Sequence, residues 1–132
     1  MKITADTNIL VRAVVRDDAK QGRAAARLLK DAELIAVPLP CLCEFVWVLD
    51  RVYSFGRQDI RAALDALLNA GNVVVDRPAV DAGLAVFAAG GDLADGLIAF
   101  EGNWLGGETF VSFDTRAVAL LSKQGHRAQL LA

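Results

Sequence analysis

The chain has one histidine, His126, and two cysteines, Cys41 and Cys43, among 132 residues. A zinc site needs about four ligands, and this inventory cannot supply them. Cysteines two positions apart point to different faces of a helix. They read as small buried hydrophobes in a reducing compartment. Positive charge is not in surplus either: Lys and Arg total 14 against 16 Asp and Glu, a net charge of −2. That excludes an electrostatically driven, non-specific nucleic-acid binder. It leaves room for a nuclease whose carboxylates a divalent cation neutralises. No apolar run approaches the ~18 residues of a membrane span. The start, Met1 to Asp6, lacks the apolar segment of a signal peptide. The expectation is a cytoplasmic protein with no membrane partner.

What is present is apolar: 55% of residues are hydrophobic, with much of the excess in Ala and Val. The length suits one domain over residues 1–132, and no repeat, low-complexity tract or linker interrupts it. Short β-like runs alternate with helical spacing. Strands are predicted at 2–5, 34–37, 72–75, 109–113 and 127–131. Helices are predicted at 8–16, 19–32, 40–53, 57–70, 78–89, 94–105 and 115–123. Strand–helix alternation with short connections implies a parallel sheet covered on both faces. The expected fold is therefore α/β: a three-layer α/β/α sandwich around a four- to five-stranded, mainly parallel sheet.

Most of the acids lie among other charges, but Asp6, Glu44, Asp95 and Asp114 do not. Asp6 ends the first strand inside the run Ile3-Thr4-Ala5-Asp6-Thr7-Asn8-Ile9-Leu10-Val11. It is placed either to cap the next helix or to face a ligand at the carboxyl edge of the sheet. Glu44 sits in Leu42-Cys43-Glu44-Phe45-Val46-Trp47-Val48-Leu49, a helix apolar nearly all round. Its charge there would be costly to bury unpaired, so an arginine partner or a cation is expected. Asp92 and Asp95 share a helix face and sit at its positive N-terminus. Asp92 is the better cap. Asp114 follows Thr109-Phe110-Val111-Ser112-Phe113 and repeats the situation of Asp6. If those two strands are neighbours, their ends lie about 5 Å apart. Together the acids form an oxygen-only donor set, which selects a hard cation such as Mg²⁺ or Mn²⁺.

Across essentially the whole chain these motifs resemble the PIN domain family, and within it the VapC-like ribonuclease toxins of toxin–antitoxin pairs. The resemblance rests on Asp6-Thr7-Asn8-Ile9-Leu10-Val11-Arg12, on Glu44 with Val48-Leu49, on Asp92 through Ala99, and on Ser112-Phe113-Asp114. It implies metal-dependent cleavage of RNA phosphodiester bonds. Asp6, Glu44, Asp95 and Asp114 would be the catalytic acids. Asp6, Asp95 and Asp114 would hold Mg²⁺ or Mn²⁺, with Glu44 and Asp92 as additional candidates. Thr7, Asn8 and Ser112 would orient the carboxylates. The chain departs from the family pattern at Ser112, where Thr is commoner. It departs again at Gly96, which weakens a helix, and in the polar, glycine-rich stretch 101–107.

The resemblance also implies a cognate antitoxin and a homodimer. The helices at 40–54 and 57–70 carry Trp47, Tyr53, Phe55, Leu64 and Leu68, which suit either a core or an antitoxin groove. Arg12, Arg16, Arg23 and Arg27 form a basic stripe, either a solvated face or a contact for RNA phosphate. Two other readings stand beside the nuclease. One is a non-catalytic PIN-like binding or scaffold module. The other is a phosphohydrolase of the haloacid dehalogenase type, which needs a second Asp where this chain has Asn8.

Overall fold

Five aspartates punctuate the chain, and each caps a helix. Asp6, Asp18, Asp76, Asp92 and Asp114 precede a helical run and accept a hydrogen bond from a backbone N–H of its first turn. Those N–H groups have no partner inside the helix. A short carboxylate at this position satisfies one and contributes about 1 kcal/mol. Proline and glycine set other boundaries: Pro38 precedes one helix, Pro78 lies in the first turn of another, and Gly56 caps a third.

The computed structural model describes residues 1–132, and the chain falls into two compact units, Met1–Val75 and Asp76–Ala132. The first contains β1 (Lys2–Thr4), α1 (Thr7–Val14), α2 (Ala19–Asp31), β2 (Leu34–Ala36), α3 (Leu39–Arg51), α4 (Arg57–Leu68) and β3 (Val73–Val74). Its three strands form a parallel sheet in the order β1-β2-β3, with Ile3 opposite Ile35 and Ile35 opposite Val73. The second contains α5 (Arg77–Ala88), α6 (Leu93–Trp104), β4 (Phe110–Ser112), α7 (Thr115–Lys123) and β5 (Ala128–Leu130). There β4 pairs with β5 in parallel, Val111 opposite Gln129. The fold is α/β with parallel strands throughout, as the alternation of elements predicts. The strands are hydrogen-bonded as a sheet of three and a sheet of two; β1 pairs with β2, and β4 with β5.

The apolar content is used differently from the expectation. The high Val and Ala content suggests strands buried on both faces, yet Ile35 is the one strand residue that is fully buried. The helices take the rest. In the first unit the core is built from Leu10, Val11, Leu42, Phe45, Leu49, Ile60 and Leu64; in the second, from Val80, Val86, Leu93, Leu97 and Leu121. Each such side chain stabilises its unit by roughly 1.5–3 kcal/mol. Leu64 and Leu68 are core residues, whereas Trp47 is 58% exposed.

Gly96 weakens helix propensity but has a packing reason. A Cβ there would lie 2.7 Å from the Ala82 carbonyl oxygen and 2.7 Å from the Gly83 Cα. Here α5 and α6 touch backbone to backbone, and only glycine fits. That contact fixes the first turn of α6, where Asp95 stands. No helix is long and apolar enough to cross a membrane.

Candidate functional site

The two strand-end acids are built alike. Asp6 follows the last residue of β1 by two positions, and Asp114 follows the last residue of β4 by two. Asp6 Oδ1 accepts from the Asn8 N–H at 2.8 Å. Asp114 Oδ1 accepts from the N–H groups of Arg116 and Ala117 at 3.0 and 3.1 Å. Both carboxylates are exposed. Each spends one oxygen on its helix and keeps the other free of backbone bonds.

In the first unit, Thr7 links Asp6 to Glu44 through the chain. Its hydroxyl donates to Glu44 Oε2 at 3.1 Å and lies 3.6 Å from the Cys41 sulfur. Thr7 thus orients one of the expected carboxylates. Asn8 acts through its backbone N–H. Burial pushes the Cys41 thiol up in pKa; the Thr7 hydroxyl opposes this, and the charges of Asp6 and Glu44 add to it. The Cys41 thiol in turn donates to the Ala5 carbonyl at 3.3 Å.

Glu44 corrects the expectation of a buried charge. It is exposed, with Thr7 as its hydrogen-bond donor and no arginine partner. The buried stripe of α3 is Cys41, Leu42, Phe45, Val46 and Leu49. Pro40, Glu44, Trp47 and Arg51 fall at i, i+4, i+7 and i+11 on the opposite, exposed face. Local composition hides this phase because Trp47 is apolar and yet faces water.

In the second unit, Asp92 caps α6 through the Ala94 N–H at 3.1 Å, and Asp95 stands in the first turn. Burial pushes the Asp95 carboxyl above the ordinary carboxylate range, and the charges of Asp92 and Asp114 push it further the same way. The structure therefore brings Asp92, Asp95 and Asp114 within electrostatic reach of one another. None of the three forms an ion pair. Ser112 serves this group through the backbone, its hydroxyl accepting from the Asp114 N–H at 2.9 Å. Sequence reasoning missed Arg116. Its guanidinium donates to the Gly90 carbonyl at 2.7 Å and ties the first turn of α7 to the turn before Asp92. Gly90 has φ +95, a conformation that L side chains rarely adopt.

The single histidine stands elsewhere. His126 lines a cavity of about 350 Å³ with Asn103, Phe110 and Arg127, at the amino ends of β4 and β5, whereas Asp114 follows the carboxyl end of β4. Arg12, one of the four in the basic stripe, is engaged: it meets Asp17 at 2.6 Å and Tyr53 Oη at 3.4 Å, and Tyr53 donates to Asp17 at 3.0 Å. Arg23 and Arg27 are exposed.

The profile of the PIN domain family matches residues 3–120, a span holding β1 through the first turns of α7 and every acid named above. The chain belongs to the PIN domain family. No curated protein matches it individually. PIN domains are typically metal-dependent nucleases, and membership agrees with the α/β fold and parallel strands.

The acids of this PIN domain fit a divalent metal in kind. All donors are carboxylate oxygens, which suit Mg²⁺ or Mn²⁺ rather than zinc. Burial, and after it the charges of Asp92 and Asp114, disfavour the ionised Asp95 carboxyl, and a cation relieves that penalty. Within either unit, no three His, Cys, Asp or Glu side chains are grouped so that they could hold a metal ion together. Mg²⁺ does not require such a group. It commonly binds through one or two carboxylates, retained waters and substrate phosphates.

Proposed function

We propose that this PIN domain is a Mg²⁺- or Mn²⁺-dependent endoribonuclease and the toxic member of a toxin–antitoxin pair. The observation that carries the reading is Asp95: a half-buried carboxyl, raised in pKa by burial and by two further aspartates, with no cationic side chain paired to any of them. Such a cluster costs stability unless a cation binds.

In this reading Asp6, Glu44, Asp95 and Asp114 are the catalytic acids. Asp6, Asp95 and Asp114 would hold the metal, with Glu44 and Asp92 as additional candidates. When bound, the ion supplies Lewis acidity at the scissile phosphate. The chain's own residues do the rest. Backbone caps fix the Asp6 and Asp114 carboxylates before substrate arrives. The Thr7 hydroxyl donates to Glu44 Oε2. One of the four carboxylates takes the proton of the attacking water.

The test is cleavage of a labelled RNA by Asp95→Asn and Asp114→Asn. Both variants should retain native circular dichroism and lose Mn²⁺-dependent cleavage; full activity in either rejects the assignment. For the toxin role, induced expression should halt growth, and co-expression of the cognate antitoxin should restore it. A homodimer is expected by analogy with such toxins and is checked by light scattering.

A second reading, a non-catalytic binding module, is favoured by one observation. Capping alone accounts for Asp6, Asp92 and Asp114. Calorimetry decides between the two, because a module whose acids only cap helices binds no Mn²⁺.

A further inference from the structure

Phe113 occupies the position between the end of β4 and Asp114. The equivalent position in the first unit, between β1 and Asp6, is Ala5, and it is only 2% exposed. The architecture of a strand end followed by a capping aspartate therefore does not call for an aromatic. Phe113 is nevertheless 74% exposed. Its backbone is held from both sides. The Ser112 hydroxyl accepts from the Asp114 N–H across it, and Asp114 is anchored by two bonds to the first turn of α7. An apolar ring in water is unfavourable, and here the fold fixes the residue that carries it.

We propose that Phe113 is the stacking platform for one unpaired base of a single-stranded RNA substrate whose backbone passes Asp114. The inference rests on the nuclease reading for its substrate. Consecutive Cα atoms lie about 3.8 Å apart, so a single strand that passes Asp114 also passes Phe113. Base–aromatic stacking tolerates any sequence and strengthens single-strand binding severalfold to a hundredfold per base. A base locked in a duplex cannot present its face in this way. The platform thus selects unpaired RNA, while the acids position the bond. It also supplies affinity that a chain of net charge −2 does not obtain from phosphates alone.

The experiment uses the full chain, an unstructured RNA octamer carrying one 2-aminopurine, and Ca²⁺ in place of Mn²⁺ so that binding is read apart from cleavage. Phe113→Ala should weaken binding roughly 5- to 100-fold and abolish the quenching of 2-aminopurine. Phe113→Trp should retain both, and Phe113→Leu should lose the quenching. The difference between wild type and Phe113→Ala should vanish on an abasic oligomer of the same length. Thermal unfolding and Mn²⁺ affinity should be unchanged in all three variants. Wild-type affinity and quenching in Phe113→Ala overturn the proposal. Equal behaviour of Phe113→Leu and wild type overturns stacking as the cause. If wild type never cleaves RNA in Mn²⁺ yet Phe113 governs quenching, the nuclease reading fails and the platform stands.

Discussion

Asp6 caps α1 and is proposed as a catalytic acid, and substitution can separate the two roles. As a cap it accepts one hydrogen bond, 2.8 Å from the Asn8 nitrogen, at the start of an eight-residue helix that buries Leu10 and Val11. As a catalytic acid it must carry a negative charge. Asparagine keeps an oxygen acceptor in the capping position and removes the charge; alanine removes both. Replacing a capping Asp by Ala costs about 1 kcal/mol, or about 3–5 °C in Tm for a chain of this size. Asn is as good a cap as Asp and forfeits only the charge–dipole part, a few tenths of a kcal/mol on an exposed helix end. Differential scanning calorimetry should therefore order the variants as wild type, then Asp6→Asn close below, then Asp6→Ala. Cleavage should order them differently. Both variants should lose Mn²⁺-dependent RNA cleavage by at least about 100-fold, the upper end of what even indirect ligand support is worth. An Asp6→Asn protein with wild-type cleavage would show that Asp6 is a cap and nothing more. An Asp6→Ala protein as stable as wild type would refute the capping argument.

Three further outcomes follow from the same geometry. Gly96→Ala forces a Cβ to 2.7 Å from backbone atoms of α5; overpacking of this kind costs about 1–3 kcal/mol, visible as a lowered urea midpoint. Asp95→Asn should raise the stability of the metal-free protein at neutral pH while destroying activity. The penalty of its raised carboxyl is absent below the ordinary 3.8, grows as pH rises through the raised value, and is full above it; a stability gain that persisted below pH 3.8 would contradict this cause. Burial raises the Asp17 carboxyl, but hydrogen bonds from Arg12 and Tyr53 outweigh it and hold it below 3.8. Its contribution is complete above pH 3.8 and lost as pH falls through the lowered value. Tyr53→Phe should shift that acid transition toward higher pH, as followed by circular dichroism.

The order of elements was legible because its punctuation is chemical. Asp92 and Asp114 announce helix starts, and Pro78 lies in the first turn of another helix. The strand-end placement of Asp6 and Asp114 could be read for the same reason. The composition of α3 suggests an apolar surround for Glu44 because it conceals the residue's angular phase, which only tertiary packing reveals. Gly96 looked like a weakness from propensity alone; its purpose depends on Ala82 and Gly83, on another helix. The bond from Arg116 to Gly90 joins residues 26 positions apart, and no local pattern signals it. The division of five strands into sheets of three and two is likewise a matter of pairing, to which alternation of elements is blind.

The central claim is that this PIN domain cleaves RNA with a divalent ion held by its carboxylates. The direct measurement strips the protein with EDTA, incubates it with end-labelled single-stranded RNA, and titrates Mn²⁺ back. Cleavage should be absent in EDTA, internal cuts should appear with Mn²⁺, and Asp114→Asn should make none at any Mn²⁺ concentration. Cleavage that persists in EDTA, or that Asp114→Asn performs as well as wild type, would contradict the claim. So would intact RNA at saturating Mn²⁺.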